Sequence, residues 1–437
     1  MTVRQDGGPW LSPAKAWFLV FAAFVTFVAG QFDRQVMAMI VGEMKRDLLF
    51  TDEQIGLLMG FAFSITYAVS AIFVAYIGDR TNRKKVLSIG VAIWSVLTIA
   101  CGFAKSFPSL LFARLAVGVG ESVLSPTALP LVGSAFPPDR RAFPVAFCVA
   151  GSAVGLIVTP LIIGAILQAT AGRTYGPFPI LGILHGWQFA FVAGGLIGLL
   201  ALLLLCFVKE PPREISTADA IGMRDAFGHF FRHPKLYLFL FFAVPVFATS
   251  NYGLIAWMPS YLARTFHLGF REIGFLSGIA FVPAALVSPL VAGALGRLAA
   301  KSTDTNTHIK ILVWLFPIGG CFIAMPMIMP NATLSVAAFS GAVACTNVAI
   351  TYGLIDIQQI VPSAYRGQAT AVFMAALILI GSGIGPVLVG TLATRVVGEQ
   401  FLGHAILLSL VVLFPVAMII VSLAALKASS ISRAIAE

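Results

Sequence analysis

The feature that most limits what this chain can become is a series of twelve apolar runs, each long enough to cross a bilayer. They lie near Trp17–Val41, Gln54–Ile77, Val86–Ala104, Leu110–Phe136, Ala142–Ala169 and Trp187–Val208, then near Leu236–Ala263, Ile273–Leu298, Ile311–Met329, Leu334–Val361, Thr370–Thr394 and Leu402–Leu426. Hydrocarbon offers no partner for a backbone N–H or C=O, and an open strand edge there would stay unpaired, so the runs are expected to be helices. Composition agrees. Of 437 residues, 59% are hydrophobic and 11% charged, against roughly 45–50% and about 25% in soluble domains. The first run is no cleavable signal peptide, being too long and carrying Asp33 and Arg34.

Basic residues orient the spans. With the N-terminus in the cytoplasm, inner segments hold 19 Lys and Arg and outer segments 7; Arg34 and Arg114, inside spans, complete the 28. That bias predicts both termini inside, in a multi-pass protein of the bacterial inner (plasma) membrane. The net charge of +10 is spread over loops and not gathered on one face, so no nucleic-acid partner is expected. The five cysteines fall inside spans without zinc spacing, which fits small packing residues and no metal site. There is no His-rich cluster, nucleophile elbow or phosphate-cradling loop, so no enzyme and no cofactor are expected.

One long polar break divides the chain into a bundle over 1–208, a central cytoplasmic linker over 209–235 and a second bundle over 236–437. It opens Lys209-Glu-Pro-Pro-Arg-Glu, where adjacent prolines stop the sixth helix. Its aromatics (Phe227, Phe230, Phe231) mixed with Arg224, His229 and Arg232 allow either an amphipathic helix at the membrane surface or a disordered linker. The halves echo one another. Gly151-Ser-Ala-Val-Gly155 in the fifth span matches Gly381-Ser-Gly-Ile-Gly385 in the eleventh, each followed by a proline and a glycine. Small residues at this spacing serve close packing anywhere, but their recurrence at one place in both halves favours a duplicated six-helix unit.

Few ionisable groups lie within spans: Asp33, Arg34, Arg114 and Glu121, with Asp356 nearer an inner end. A charge at the bilayer centre costs about 2.5–3.5 kcal/mol on insertion scales and usually faces a partner or a wet cavity. Asp33 and Arg114 lie at overlapping depths, which predicts a pair if their two helices face each other. Glu121, seven residues after Arg114, shares its helix face. Desolvation favours the protonated Glu121 carboxyl while neighbouring cations favour the ionised one, as a group exchanging a proton requires. The second half offers neutral polar groups: Thr249, Ser250, Asn251 and Tyr252 in the seventh span, and Thr346, Asn347, Thr351 and Tyr352 in the tenth. The short inner turn Gly78-Asp79-Arg80-Thr81-Asn82-Arg83-Lys84-Lys85 packs one carboxylate among four cations. Asp79 there suits the N-terminal end of a neighbouring helix, a contact that could break when rigid bodies rock.

This turn resembles the signature loop of the major facilitator superfamily, Gly-x-x-x-Asp-Arg-x-Gly-Arg-Arg. With Asn82 where most members have Gly, it is closest to the Spinster-like branch. Asp33-Arg34 and Arg114-x-x-x-Gly118-x-Gly120-Glu121 resemble motifs of that branch's first and fourth helices. Two departures stand out: Ala75 replaces the usual first glycine, and the second-half counterpart of the turn has Arg297 in place of the acid.

The resemblance implies an all-α membrane protein of about twelve helices in two pseudo-symmetric bundles, working by alternating access around a cavity lined by the first, fourth, seventh and tenth helices. The expected transporter is proton-coupled through Glu121 and Asp33. Its substrate, a lysophospholipid- or sphingolipid-like amphiphile, is expected to meet Arg34, Arg114, Asn251, Tyr252, Asn347 and Thr351. Gly78, Asp79, Arg80, Asn82, Arg83 and Lys84 form the gating motif, and Asp79→Asn is expected to unbalance the two facing states. Expected partners are protons, membrane lipids and the substrate, with the protein a monomer. The alternatives are a small organic anion or multidrug transporter and, from other classes, a channel or membrane-embedded enzyme.

Overall fold

Long apolar stretches with few internal breakers become long helices, because intrahelical hydrogen bonds are the only ones hydrocarbon permits. The computed structural model describes residues 3–4, 11–178, 182–211, 214–215, 223–301 and 307–436. It contains twelve helices long and apolar enough to cross a membrane: Pro13–Leu48, Asp52–Ala71, Arg83–Cys101, Phe107–Gly133, Ala142–Thr170, Gly186–Phe207, Pro234–Phe266, Phe270–Ala300, Thr307–Met327, Ala332–Ile360, Ser363–Val397 and Glu399–Leu426. Local chemistry starts several of them. Thr51 and Gln54 form a reciprocal capping box at 3.2 and 3.0 Å. The Asn331 side chain accepts from Leu334 N at 2.9 Å ahead of the tenth span. Large side chains stay exposed on outward faces, as in the sixth span at Leu196, Leu200, Leu203 and Phe207. Water would penalise such a stripe and lipid does not.

The chain forms two compact units. The first comprises Met1–Ala218 and His267–Gly278, the second Asp219–Phe266 and Ile279–Glu437. In the first unit the first span packs on the fifth and sixth, and the third on the fourth and sixth. His267–Gly278 contains the start of the eighth span and belongs by chain order to the second bundle. It lies with the first unit because Gly274 meets Pro160 and Gly164 of the fifth span backbone to backbone. In the second unit the seventh span packs on the eleventh and twelfth, and the tenth on the eighth and ninth.

The sequence echo has a structural counterpart. Gly151 and Gly155 bring the fifth span against Phe24 and Val28 of the first, and Gly381 and Gly385 bring the eleventh against Tyr252 and Thr249 of the seventh. The two sites are not identical. The fifth span is α-helical throughout, whereas the eleventh widens to a π-helix over Leu377–Ile384. Thr249 Oγ1 donates to Pro245 O in its own helix at 2.9 Å and lies 3.4 Å from Ile380 O in that widened turn.

Of the two alternatives for the break between the bundles, its described part contains a helix. Met223–Arg232 is helical and buries Ala226 and Phe230 while exposing Phe227 and Phe231. His229 stacks on Tyr365 with centroids 4.3 Å apart and planes 5° from parallel. Burial of the imidazole, reinforced by His233 and Arg232, lowers the His229 pKa from its ordinary value. Residues 212–213 and 216–222 of this linker, like the Arg224 side chain, lie outside the described residues. Two small antiparallel pairings went unanticipated, Thr174–Phe178 with Gly182–His185 and Val3–Arg4 with Glu214–Ile215. Strands this short leave no periodic signal.

Candidate substrate and proton site

The first unit gathers the four charges that lie deep in its spans, Asp33, Arg34, Arg114 and Glu121, into two ion pairs. Asp33 and Arg34 are neighbours on the first span, so their side chains diverge by about 100° around the helix. Arg114 and Glu121, seven residues apart, stack on one face of the fourth. Each acid therefore meets the base of the other helix. Arg114 Nη1 donates to Asp33 Oδ2 at 2.7 Å, and Thr98 Oγ1 of the third span donates to Asp33 Oδ1 at 2.6 Å. Arg34 Nε lies 2.8 Å from Glu121 Oε1.

The two pairs differ in kind. Arg114 and Asp33 are 1% and 3% exposed, and both carboxylate oxygens accept directed hydrogen bonds. Glu121 is wholly buried, yet its distance to Arg34 is that of an ion pair without hydrogen-bond alignment, and neither of its oxygens has a directed donor. Arg34 is 35% exposed. One pair is locked; the other joins a buried carboxylate to a half-open cation. Arg34 also lies over the rings of Phe63 and Tyr67 at 5.2 and 5.3 Å, and Arg114 over Phe63 at 5.5 Å. These contacts hold each guanidinium against an aromatic face.

Glycines set the spacing. A Cβ on Gly118 would collide with Phe63 O, so the glycine lets the second span bring Phe63 beside both arginines. A Cβ on Gly30 would stand 3.0 Å from Glu121 Oε1 and 3.2 Å from Leu124, so a larger residue there would make that carboxylate give by a few tenths of an ångström.

In the second unit the predicted residues separate. Asn347 and Thr351 are exposed on an apolar groove of about 590 Å³ between the eighth and tenth spans, lined largely by Ala284, Ala285, Ser288 and Ala292. Thr351 Oγ1 donates to Asn347 O at 2.9 Å. Asn251 and Tyr252 do not line this groove. Asn251 is buried with its Oδ1 unpartnered, and Tyr252 lies against Gly381 of the eleventh span.

The signature turn is built by capping. Asn82 Oδ1 accepts from Lys85 N at 2.7 Å and caps the third span, which gives the Asn in place of Gly a structural reason. Gly78 is buried near Thr127 of the fourth span. Arg80 is exposed. Glu210, just past the sixth span, accepts from the backbone amides of Arg83 at 2.9 Å and Lys84 at 3.3 Å, and Lys84 Nζ donates to Cys206 O at 3.0 Å. The anion thus sits at one helix's N-terminus and the cation at another's C-terminus, as helix dipoles favour. The Asp79 side chain lies outside the described residues.

Sequence reasoning missed Glu210, Thr98, Phe63 and Tyr67. Glu210 carried a signal, an acid at a proline helix stop on the same side as the basic turn. Thr98 carried none, being one hydroxyl in an apolar run.

Residues 19–386 match the family model described as Major Facilitator Superfamily. The chain is 27% identical over 402 residues to an MFS-type efflux pump of Mycolicibacterium smegmatis, covering 91% of this chain and 89% of that one. It is 26% identical over 412 residues to Protein spinster homolog 1 of Xenopus tropicalis, covering 86% and 73%. Among solved structures, a bacterial homolog of the human lysosomal transporter Spinster, in an inward-facing and unoccupied conformation, superposes with a TM-score of 0.77 at 21% identity. The match covers 97% of this chain and 98% of that one. The twelve spans agree with these likenesses: the chain belongs to the Major Facilitator Superfamily and, within it, is similar to Spinster homologues.

Proposed function

We propose that this transporter is proton-coupled, works by alternating access, and carries a lipid-like amphiphile with an anionic or zwitterionic head group, of the lysophospholipid or sphingolipid class. The observation that carries this reading is the half-open Arg34 held against the fully buried Glu121. An anion arriving at Arg34 competes with Glu121 for the same guanidinium. Once the cation turns to the substrate, Glu121 is an uncompensated buried carboxylate, and taking up a proton relieves the cost. Substrate and proton thus favour each other's binding, and linkage makes the coupling reciprocal. Asp33, with two directed donors, serves as the fixed partner of Arg114.

The apolar groove of the second unit, with Ser288, Asn347 and Thr351 as its polar members, supports an amphiphile over a fully polar substrate. The likeness to an efflux pump favours a second reading, export of small organic anions or drugs. In either case we place the protein in a bacterial inner membrane as a monomer among lipids, with both termini cytoplasmic, on the basic-residue bias.

The test is transport in liposomes under an imposed pH gradient, with lysolipid and organic-anion substrates in parallel. Glu121→Gln mimics the protonated state, so it should abolish pH-driven accumulation while substrate exchange survives. A mutant that still concentrates substrate on a pH difference alone would move the proton elsewhere, with Asp33 the next candidate.

A further inference from the structure

The second unit holds a buried carboxylate that the reading above leaves unused. Asp356, one turn from the end of the tenth span, is 1% exposed. Among the described residues it makes no ion pair, and its Oδ2 has no hydrogen-bond partner. Tyr352, one turn earlier, is close enough to feel its charge, but the Tyr352 hydroxyl donates to Ala292 O of the eighth span at 3.2 Å. The other side of Tyr352 faces His308 of the ninth span, with ring centroids 5.7 Å apart. His308 is partly exposed, yet its Nδ1 is buried and unpartnered. Two orphaned polar atoms, one acidic and one basic, therefore flank a single tyrosine.

Cations on the surrounding elements do not compensate Asp356. Arg297 of the eighth span, Lys310 of the ninth and Lys235 at the start of the seventh are all exposed, and none pairs with it. Arg366 of the eleventh donates its Nε to Val361 O at 2.8 Å. A carboxylate buried without a counter-charge is neutralised more cheaply by a proton than by reorganising the helices around it.

We propose that Asp356 is a proton-binding site of the second unit. The proton comes from the acidified medium and binds the Asp356 carboxylate, and no other bond changes. The site is independent of Glu121, so a transport cycle using both would move more than one proton.

Infrared difference spectroscopy of the purified protein, between alkaline and acidic buffer, tests this without transport. In a Glu121→Gln background, acidification should produce a protonated-carboxyl stretch that shifts in heavy water and is lost in Asp356→Asn. Asp356→Glu should restore a shifted band, and monodisperse elution of each variant guards against misfolding. A spectrum indifferent to Asp356→Asn, or a band that neither titrates nor exchanges, would overturn the proposal. Should Glu121 prove not to carry the coupling proton, the Asp356 band would still appear, so the two ideas fail separately.

Discussion

Removing one carboxylate charge from each ion pair of the first unit should have unequal consequences, although the substitutions are chemically alike. Asp33→Asn leaves Arg114 at 1% exposure beside an amide. Arginine cannot shed its proton, so the charge stays buried and uncompensated. Breaking a buried pair in this way costs about 3–5 kcal/mol, a large part of the ~5–15 kcal/mol that holds a typical domain together. Glu121→Gln leaves Arg34, 35% exposed, free to turn toward solvent, and it removes a carboxylate that lacked directed hydrogen bonds. Its effect should stay within about 1 kcal/mol of zero, in either direction, as for exposed pairs. The gap of about 2 kcal/mol or more is roughly a thirtyfold difference in the unfolding equilibrium. At roughly 2–4 °C per kcal/mol it separates the melting temperatures by roughly 4–8 °C. Thermal unfolding of both variants in one detergent measures it, and Asp33→Asn/Arg114→Gln should recover part of the loss. Equal destabilisation, or a larger loss in Glu121→Gln, would refute the distinction between a locked and a half-open pair.

Arg34→Lys keeps the charge but loses the fork and the ring contacts with Phe63 and Tyr67. Affinity for an anionic amphiphile should fall by about 2–30-fold (~0.5–2 kcal/mol). Arg114→Lys, whose cation faces Asp33, should weaken binding less; equal losses in a binding assay would contradict that ranking. Glu210→Gln weakens two charge-assisted bonds to the amides of Arg83 and Lys84. It should loosen the signature turn by about 1–3 kcal/mol, read as faster amide exchange at those two residues. For His229, burial lowers the folded pKa beneath the ordinary 6.5. The undocked surface helix therefore binds more protons, and docking should weaken as pH falls below 6.5, the loss growing until the lowered value is passed. Amide exchange over Met223–Arg232 should show this pH dependence and lose it in His229→Phe.

Helix number and fold class were legible in the sequence because bilayer thickness and backbone pairing act on every span alike, whatever its neighbours. A buried charge is as visible in a string of letters as in space, so Asp33, Arg34, Arg114 and Glu121 stood out against apolar surroundings, and depth along the helices allowed an Asp33–Arg114 pair once the two helices faced each other. The glycine echo of the fifth and eleventh spans was legible for a similar reason, since close helix contact in lipid demands small residues at fixed spacing. What the letters could not carry was direction and exposure. Which acid would be locked and which left half-open depends on Thr98 from a third helix and on the berth Gly30 leaves, and such contacts follow from packing. The same holds for Glu210 capping a helix 127 residues away. Asn251 and Asn347 look equivalent in sequence, yet tertiary structure buries one and sets the other on a groove. Burial of a side chain is a property of everything packed around it, and one helix's periodicity records its own faces, not which neighbour will cover them.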